Sequence, residues 1–313
     1  MENNIYLSVI VPVFNEEGAI ADLHTKILAS CQKLNEPYEI IFINDGSTDK
    51  TLEILKTLKP LKIINFRKNF GQTAAMDAGF KAARGKYIAP LDGDGQNDPE
   101  DIGRLIAKLE ADNLDIVSGW RKSRRDTLGK KLASLLAARV RKFLINDGIH
   151  DSGCTLKVYK KECFQGIDLV GEMHRFIPAL LKINGFKIGE LEVAHHPRTT
   201  GKTKYNFKRG IKGILDIFAV WFWKKYVNRP LHLFGTMSLF LILVSFLAGL
   251  WAAYLKIFQG TSLSDTVLTD LSLMGFLIGI QFFVFGLIAD MLSKNYHAIR
   301  KERAYTIKEV IEQ

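Results

Sequence analysis

Cysteine is scarce in this chain: Cys31, Cys154 and Cys163 are the only three in 313 residues. Their spacing fits neither a zinc site nor a disulfide framework, so they read as buried thiols in a reducing compartment. A secretory leader pattern is missing too, because MENNIY has no basic n-region and Pro12 breaks the apolar run behind it. Acidic residues are nearly missing from two short stretches. Residues 121–142 and 195–230 each carry 9 basic side chains against 1 acidic and together hold more than the whole formal net charge of +10, whereas residues 1–120 carry 13 basic against 18 acidic. An excess confined in this way argues against a general nucleic-acid binder, so nucleic acid is not an expected partner. Twenty Phe, four Trp and a hydrophobic share of 47% exclude disorder.

Charge is also missing from most of the last third. The 26 residues between Arg229 and Lys256 and the 19 between Asp270 and Asp290 contain none. About 20 apolar residues span a bilayer core, so two transmembrane helices are expected, near 231–255 and 271–291. Their short connection carries one cation, while the tail has Lys294, Arg300, Lys301, Arg303 and Lys308. The positive-inside rule then places the N-terminal domain and the tail in the cytoplasm, at the plasma (inner) membrane.

What is present in the first half alternates between two periods. Leu7 to Phe14, Tyr38 to Ile43, Leu61 to Phe66 and Lys86 to Leu91 are apolar, β-branched runs of the kind buried on both faces of a parallel sheet. Helical patterns separate them at Ala19 to Leu34, after Asn44-Asp45-Gly46-Ser47-Thr48-Asp49, and at Thr73 to Ala83. This order predicts an α/β, Rossmann-like doubly wound sheet that binds ligands beyond the carboxyl ends of its strands.

The glycine fingerprint of a dinucleotide site is absent, since the first strand leads into FNEEGA. The fourth strand instead runs into Asp92-Gly93-Asp94-Gly95-Gln96. Two carboxylates one residue apart at a strand end suit a hard divalent ion, Mg²⁺ or Mn²⁺, that neutralises a diphosphate. Asp98, Glu100 and Asp101 read as the acidic start of a helix after Pro99.

The ordered motifs VPVFNEE, INDGSTDKT, KNFGQTAAMDAG and LDGDGQNDPE resemble the nucleotide-diphospho-sugar domain of family 2 glycosyltransferases with the GT-A fold. Asp151-Ser152-Gly153-Cys154 with LKVYKKE, and Arg198 followed by Gly201-Lys202-Thr203-Lys204-Tyr205, are similar to the polyprenyl-phosphate branch of that family. Residue 44 is Asn where many members have Asp, so Asp45 alone carries over as a carboxylate. The resemblance implies a catalytic domain over 1–204, interfacial amphipathic helices over 205–229, two transmembrane helices over 230–294 and a cytoplasmic tail over 295–313.

It also implies roles. Pro12, Phe14 and Glu16 would line the nucleoside pocket, although Pro12 and Phe14 fit ordinary strand-end packing as well, and Asp45 would hold base or ribose. Asp92, Asp94 and Gln96 would hold the metal and the donor diphosphate. Arg121, Lys131, Ser134, Arg198 and Lys204 would meet the acceptor phosphate, most other cations of the two basic stretches meeting anionic membrane lipids. Asp151 would lie near the reacting atoms as a positioning group or weak base, or simply cap a turn. His195 and His196 read as structural rather than catalytic.

The implied reaction is inverting, metal-dependent transfer of a hexosyl or N-acetylhexosaminyl group from a UDP- or GDP-sugar to undecaprenyl or dolichyl phosphate. A phosphate nucleophile is already ionised near neutral pH and needs no strong base. Two other readings stand beside it: transfer to a diacylglycerol hydroxyl, and a non-catalytic scaffold that binds nucleotide-sugar. A processive polysaccharide synthase is disfavoured by the missing Gln-x-x-Arg-Trp motif and the small number of spans. Self-association through the membrane helices is a further expectation.

Overall fold

The computed structural model describes residues 5–122, 148–151, 153–165, 169, 173–196, 222, 226, 230–260, 262, 267–299 and 307–312. The chain divides into two compact units, residues 1–220 with 303–313, and residues 221–302.

The first unit is an eight-stranded sheet. Its strands are β1 (Leu7–Val13), β2 (Tyr38–Asn44), β3 (Lys62–Phe66), β4 (Tyr87–Pro90), β5 (Ile116–Trp120), β6 (Lys157–Lys160), β7 (Ile188–Glu192) and β8 (Ile307–Glu312), in the spatial order β7-β5-β6-β4-β1-β2-β3-β8. The pairs β1–β2, β1–β4, β2–β3 and β5–β7 are parallel, while β6 lies antiparallel to both β4 and β5 and β8 antiparallel to β3. The four strands read from sequence form its centre and the half next to β8. The sheet is mixed rather than purely parallel because β6 and β8 enter from the opposite end.

Layers on both faces explain the unbroken apolar runs. Leu7, Val9, Val11 and Val13 of β1 pack into one core with Leu23 and Ile27 of α1 (Ile20–Leu34) and Leu105 and Leu109 of α4 (Asp101–Ala111). Ile10, one residue out of phase, packs on the other face with Ala75, Ala78 and Phe80 of α3 (Gln72–Ala82) and with Leu181 of α5 (Ile177–Ile183). The short α2 (Thr51–Leu55) follows β2 and turns Leu55 into the first core. Each fully buried Val, Leu or Ile contributes about 1.5–3 kcal/mol relative to exposure, so both faces are strongly specified. α1 stops at Asn35, whose left-handed conformation (φ 53°) ends the helix.

Sequence reading had residues 295–313 as a tail. In the structure, β8 pairs along β3 from Lys62 opposite Glu312 to Phe66 opposite Ile307, with a bulge at Asn65 and Phe66. The run IKEVIE is short and half charged, which makes it look like a solvated segment; those charges suit a protected sheet edge.

The second unit is a helical hairpin, α6 (Pro230–Gln259) and α7 (Val267–Ile299). Both are long and apolar enough to cross a membrane, and most of each apolar window faces outward rather than into the protein. Leu239, Phe240, Leu250, Leu277 and Leu287 are among the exposed large side chains, as expected for a lipid-facing surface and not for core helices of a water-soluble bundle. The two helices meet along small residues. Ser238, Ser245 and Ala252, spaced by sevens, are the buried positions inside α6, and a Cβ at Gly279 would lie 2.6 Å from Ile242 Cγ1 and 3.3 Å from the Ser238 carbonyl oxygen. Near the end of α6, Trp251 stacks on Tyr254 and Phe258 lies tilted against it, with centroids 5.5 and 4.7 Å apart, a composition typical of a membrane boundary.

Candidate active site

Because β1 to β5 run in one direction, the residues that follow them collect at one edge of the sheet. β6 runs the other way, so the segment that precedes it, 151–156, arrives at the same edge. Pro12 is buried in β1 opposite Ile43, and Phe14 and Glu16 are half-buried in the loop beyond it. That loop is laced to the one after β2. Asn15 adopts φ 54°, its backbone N–H donates to Ser47 Oγ at 3.0 Å, and its Oδ1 accepts from the Thr48 N–H at 2.8 Å. The Glu16 N–H donates to Thr51 Oγ1 at 3.0 Å, and Glu17 Oε2 accepts from the Lys50 N–H at 2.9 Å.

Asp45 is buried, and its two carboxylate oxygens accept from the Phe70 and Gly71 N–H groups at 2.7 and 2.9 Å. Burial raises its pKa, opposed by those two bonds. The carboxylate therefore fixes the loop between β3 and α3, and any contact to a nucleoside uses its remaining lone pairs. Gly46 (φ 66°) lies where a Cβ would meet the Lys68 backbone, so this turn admits no side chain. Asn44 occupies the position noted for lacking a carboxylate; its Nδ2 donates to Asn65 Oδ1 at 2.8 Å and its Oδ1 accepts from Ser47 Oγ at 2.5 Å.

Asp92 and Asp94 follow β4, both half-buried. Asp92 accepts from Gln72 Nε2 at 2.9 Å and Thr155 Oγ1 at 2.5 Å. Burial raises its pKa, the Thr155 bond opposes that shift, and the neighbouring Asp94 charge adds to it. Asp94 Oδ1 accepts from the Gln96 N–H at 3.1 Å, while the Gln96 carbonyl accepts from the His196 N–H at 2.9 Å. Among the described residues no group of three or more His, Cys, Asp or Glu could by itself enclose a metal. Two like-charged carboxylates, one of them held against desolvation, do fit Mg²⁺ or Mn²⁺, which takes one or two carboxylates and completes its shell with phosphate oxygens and water.

Arg121 follows β5 and grips Asp151 in a fork: Nε donates to Oδ2 at 2.6 Å and a terminal guanidinium nitrogen to Oδ1 at 3.0 Å. Burial alone would raise the Asp151 pKa, but the bonds and charge of Arg121 prevail and hold it below the usual carboxylate range. Lys157, the first residue of β6, is buried and donates to the Cys154 carbonyl. Next to Asp151, the His150 N–H and Nδ1 both meet the Glu190 carboxylate at 2.7 Å, with the His150 ring stacked on Trp120 at 4.8 Å. A cleft of about 410 Å³ opens beside Arg121, lined also by Arg104, Glu192 and His195.

Asp98 Oδ1 accepts from the Glu100 N–H at 3.0 Å, and the two oxygens of Asp101 take the Ala194 N–H at 2.7 Å and Arg104 at 2.5 Å. His195 pairs with Asn97 in a backbone bridge, and His196 Nε2 lies 3.1 Å from Asp98. Lys131, Ser134, Arg198 and Lys204 lie outside the described residues, as do residues 205–229 except Phe222 and Tyr226. Gln72, Thr155 and Lys157 were not singled out in the sequence. Lys157 carried the one available signal, a cation opening the otherwise apolar strand KVYK.

A family model described as Glycosyl transferase family 2 matches residues 8–167, and one described as GtrB C-terminal hairpin matches residues 229–294. The dodecaprenyl-phosphate galacturonate synthase of Rhizobium johnstonii is 35% identical over 99% of this chain and 94% of its own length. The undecaprenyl-phosphate 4-deoxy-4-formamido-L-arabinose transferase of Photorhabdus laumondii is 31% identical over 97% and 94%. Among solved structures, glucosyl-3-phosphoglycerate synthase from Mycobacterium tuberculosis in complex with Mn²⁺, UDP and glucosyl-3-phosphoglycerate superposes with a TM-score of 0.54 at 17% identity, covering 70% of this chain and 80% of that one. Mannosyl-3-phosphoglycerate synthase from Rubrobacter xylanophilus gives 0.57 at 16% identity, covering 71% and 75%. At these identities the likeness concerns the fold, the GT-A sheet.

Proposed function

We propose that this chain, which belongs to glycosyltransferase family 2, transfers a glycosyl group from a UDP- or GDP-sugar to a polyprenyl phosphate at the cytoplasmic face of a membrane. The observation that carries this reading is the convergence of an acidic pair, Asp92 and Asp94, and a cation–carboxylate pair, Arg121 and Asp151, at one sheet edge in a chain that also bears an apolar hairpin. Relatives named for transfer to polyprenyl phosphates, matched nearly end to end, support the acceptor class.

In this reading the loops after β1 and β2 bind the nucleoside, and Asp92 and Asp94 bind Mg²⁺ or Mn²⁺. The ion, when bound, neutralises charge on the leaving diphosphate. An acceptor phosphate oxygen forms a bond to the anomeric carbon as the bond to the diphosphate breaks, its electron pair leaving with the nucleoside diphosphate, and the configuration inverts. Arg121 holds Asp151 and presents positive charge toward the incoming anion, offsetting repulsion between two phosphorylated substrates. Asp151, with a lowered pKa, is a poor proton acceptor, which suits an ionised phosphate nucleophile better than a lipid hydroxyl.

The pairing of β8 with β3 is consistent with a hairpin that crosses twice, with sheet and tail on the same side.

Purified protein in nanodiscs, given Mn²⁺, undecaprenyl phosphate and a panel of labelled UDP- and GDP-sugars, is expected to form a glycolipid. Mass spectrometry of that product also identifies the sugar. The Asp94→Ala variant is expected to lose about 100-fold or more in turnover. Glycolipid formed only from diacylglycerol, or an Asp94→Ala variant at wild-type rate, would overturn the proposal.

A further inference from the structure

Lys157 is a buried cation to which the reaction above assigns no role. It opens β6 opposite Ser118 of β5, is 4% exposed, and donates to the carbonyl of Cys154. Burial pushes its pKa down and Arg121 adds to that shift, while Cys154, Asp151 and Asp92 oppose it. An ammonium taken out of water costs several kcal/mol unless its charge is answered nearby. A Met of similar length would pack at this position without that penalty, so packing does not account for a lysine here. Counting the described charges, Asp92 and Asp151 are balanced by Arg121 and Lys157, and Asp94 remains over. Arg121 directs Nε and one terminal nitrogen at Asp151.

We infer that Lys157 is a positioning residue, an internal counter-ion for the metal-binding carboxylates that also pins the segment between Asp151 and Leu156 through the Cys154 carbonyl. The inference rests on the reading of Asp92 and Asp94 as the metal and diphosphate site, and goes beyond it. With no divalent ion bound, the ammonium answers the charge of Asp92 and keeps it beside Thr155. With the ion bound, the two cations repel, so Lys157 weakens metal affinity and eases release of the ion with the nucleoside diphosphate. Its hold on the Cys154 carbonyl keeps Thr155 at Asp92 and Asp151 at Arg121, joining the donor and acceptor sides of the site.

The test is Mn²⁺ binding at pH 8 in the presence of UDP or GDP, read by electron paramagnetic resonance on wild type and the Lys157→Met variant, beside thermal unfolding and steady-state kinetics. The expected result is an unfolding midpoint equal to or above wild type, Mn²⁺ bound about threefold or more tightly, and kcat reduced about tenfold with the donor KM little changed. A side chain that only fills the core would move none of these in that pattern. A folded variant with unchanged or weaker Mn²⁺ binding, or with wild-type kcat, overturns the inference. If Met at this position fails to fold, Lys157→Gln decides by the same Mn²⁺ measurement, since it keeps a donor for the Cys154 carbonyl and removes the charge. Wild-type protein that binds no Mn²⁺ with either nucleotide would instead overturn the reading of Asp92 and Asp94 itself.

Discussion

At the scale of single residues, the fork between Arg121 and Asp151 sets how the site responds to pH. The folded-state pKa of Asp151 lies below its ordinary value, so the stabilisation it provides is fully present above the unfolded pKa, about 3.9, and is lost as pH falls through the lower folded value. The difference in urea-unfolding free energy between wild type and Asp151→Asn should therefore stay constant from pH 8 to about pH 5 and shrink only in more acidic solution. At pH 7 that variant leaves a mostly buried guanidinium without its anion, at an expected cost of about 3 kcal/mol. Thr155→Val tests the second anchor. It removes a hydrogen bond to a carboxylate and should cost about 1.5–3 kcal/mol, with turnover falling while the protein remains folded by circular dichroism. The acidic pair was legible in the sequence because two aspartates at a strand end are a local pattern. Gln72 and Thr155 were not, because they bond Asp92 from 20 and 63 positions away in the chain and nothing within a short window records that. Asp45 shows the converse: its residue type was legible, but its commitment to the Phe70 and Gly71 N–H groups belongs to tertiary structure.

At the scale of elements, glycines that permit close approach should be the most sensitive positions. Gly46→Ala meets both a left-handed backbone and the Lys68 main chain, so it should displace the loop whose N–H groups bind Asp45. The expected outcome is a fall of about 2 kcal/mol in stability with a clear rise in the donor KM, measured by denaturant titration and initial rates. In the hairpin, Gly279→Leu inserts a branched side chain where Ile242 and the Ser238 carbonyl already sit. The helices should separate, which disulfide crosslinking between Cys pairs placed on α6 and α7 would register as lost efficiency. The first four strands, α1 and α3 could be read from hydrophobic pattern, and the two long apolar helices from runs without charge. β5, β6 and β7 could not, since runs of four or five residues beside loops carry little periodic signal. The end of the sheet at β8 was hidden by the charges of IKEVIE, which suit an edge and a free tail equally well.

At the scale of the whole molecule, the sequence segregates charge into an acidic first third, two basic stretches and two long apolar segments without charge, the division of labour that the proposed reaction between an anionic donor and an anionic lipid calls for. The strand β8 also constrains the order of synthesis. Its partner β3 emerges from the ribosome more than 240 residues before it, and the hairpin is made in between. The sheet edge at β3 therefore stays bare until both apolar helices have been synthesised, and its last strand can dock only after the whole hairpin exists. A chain that ends after α7 would keep that edge unpaired, with its backbone donors and acceptors open to other chains. Completion of the catalytic sheet thus waits for synthesis of the hairpin, and a truncated product should be recovered as aggregate rather than as active enzyme.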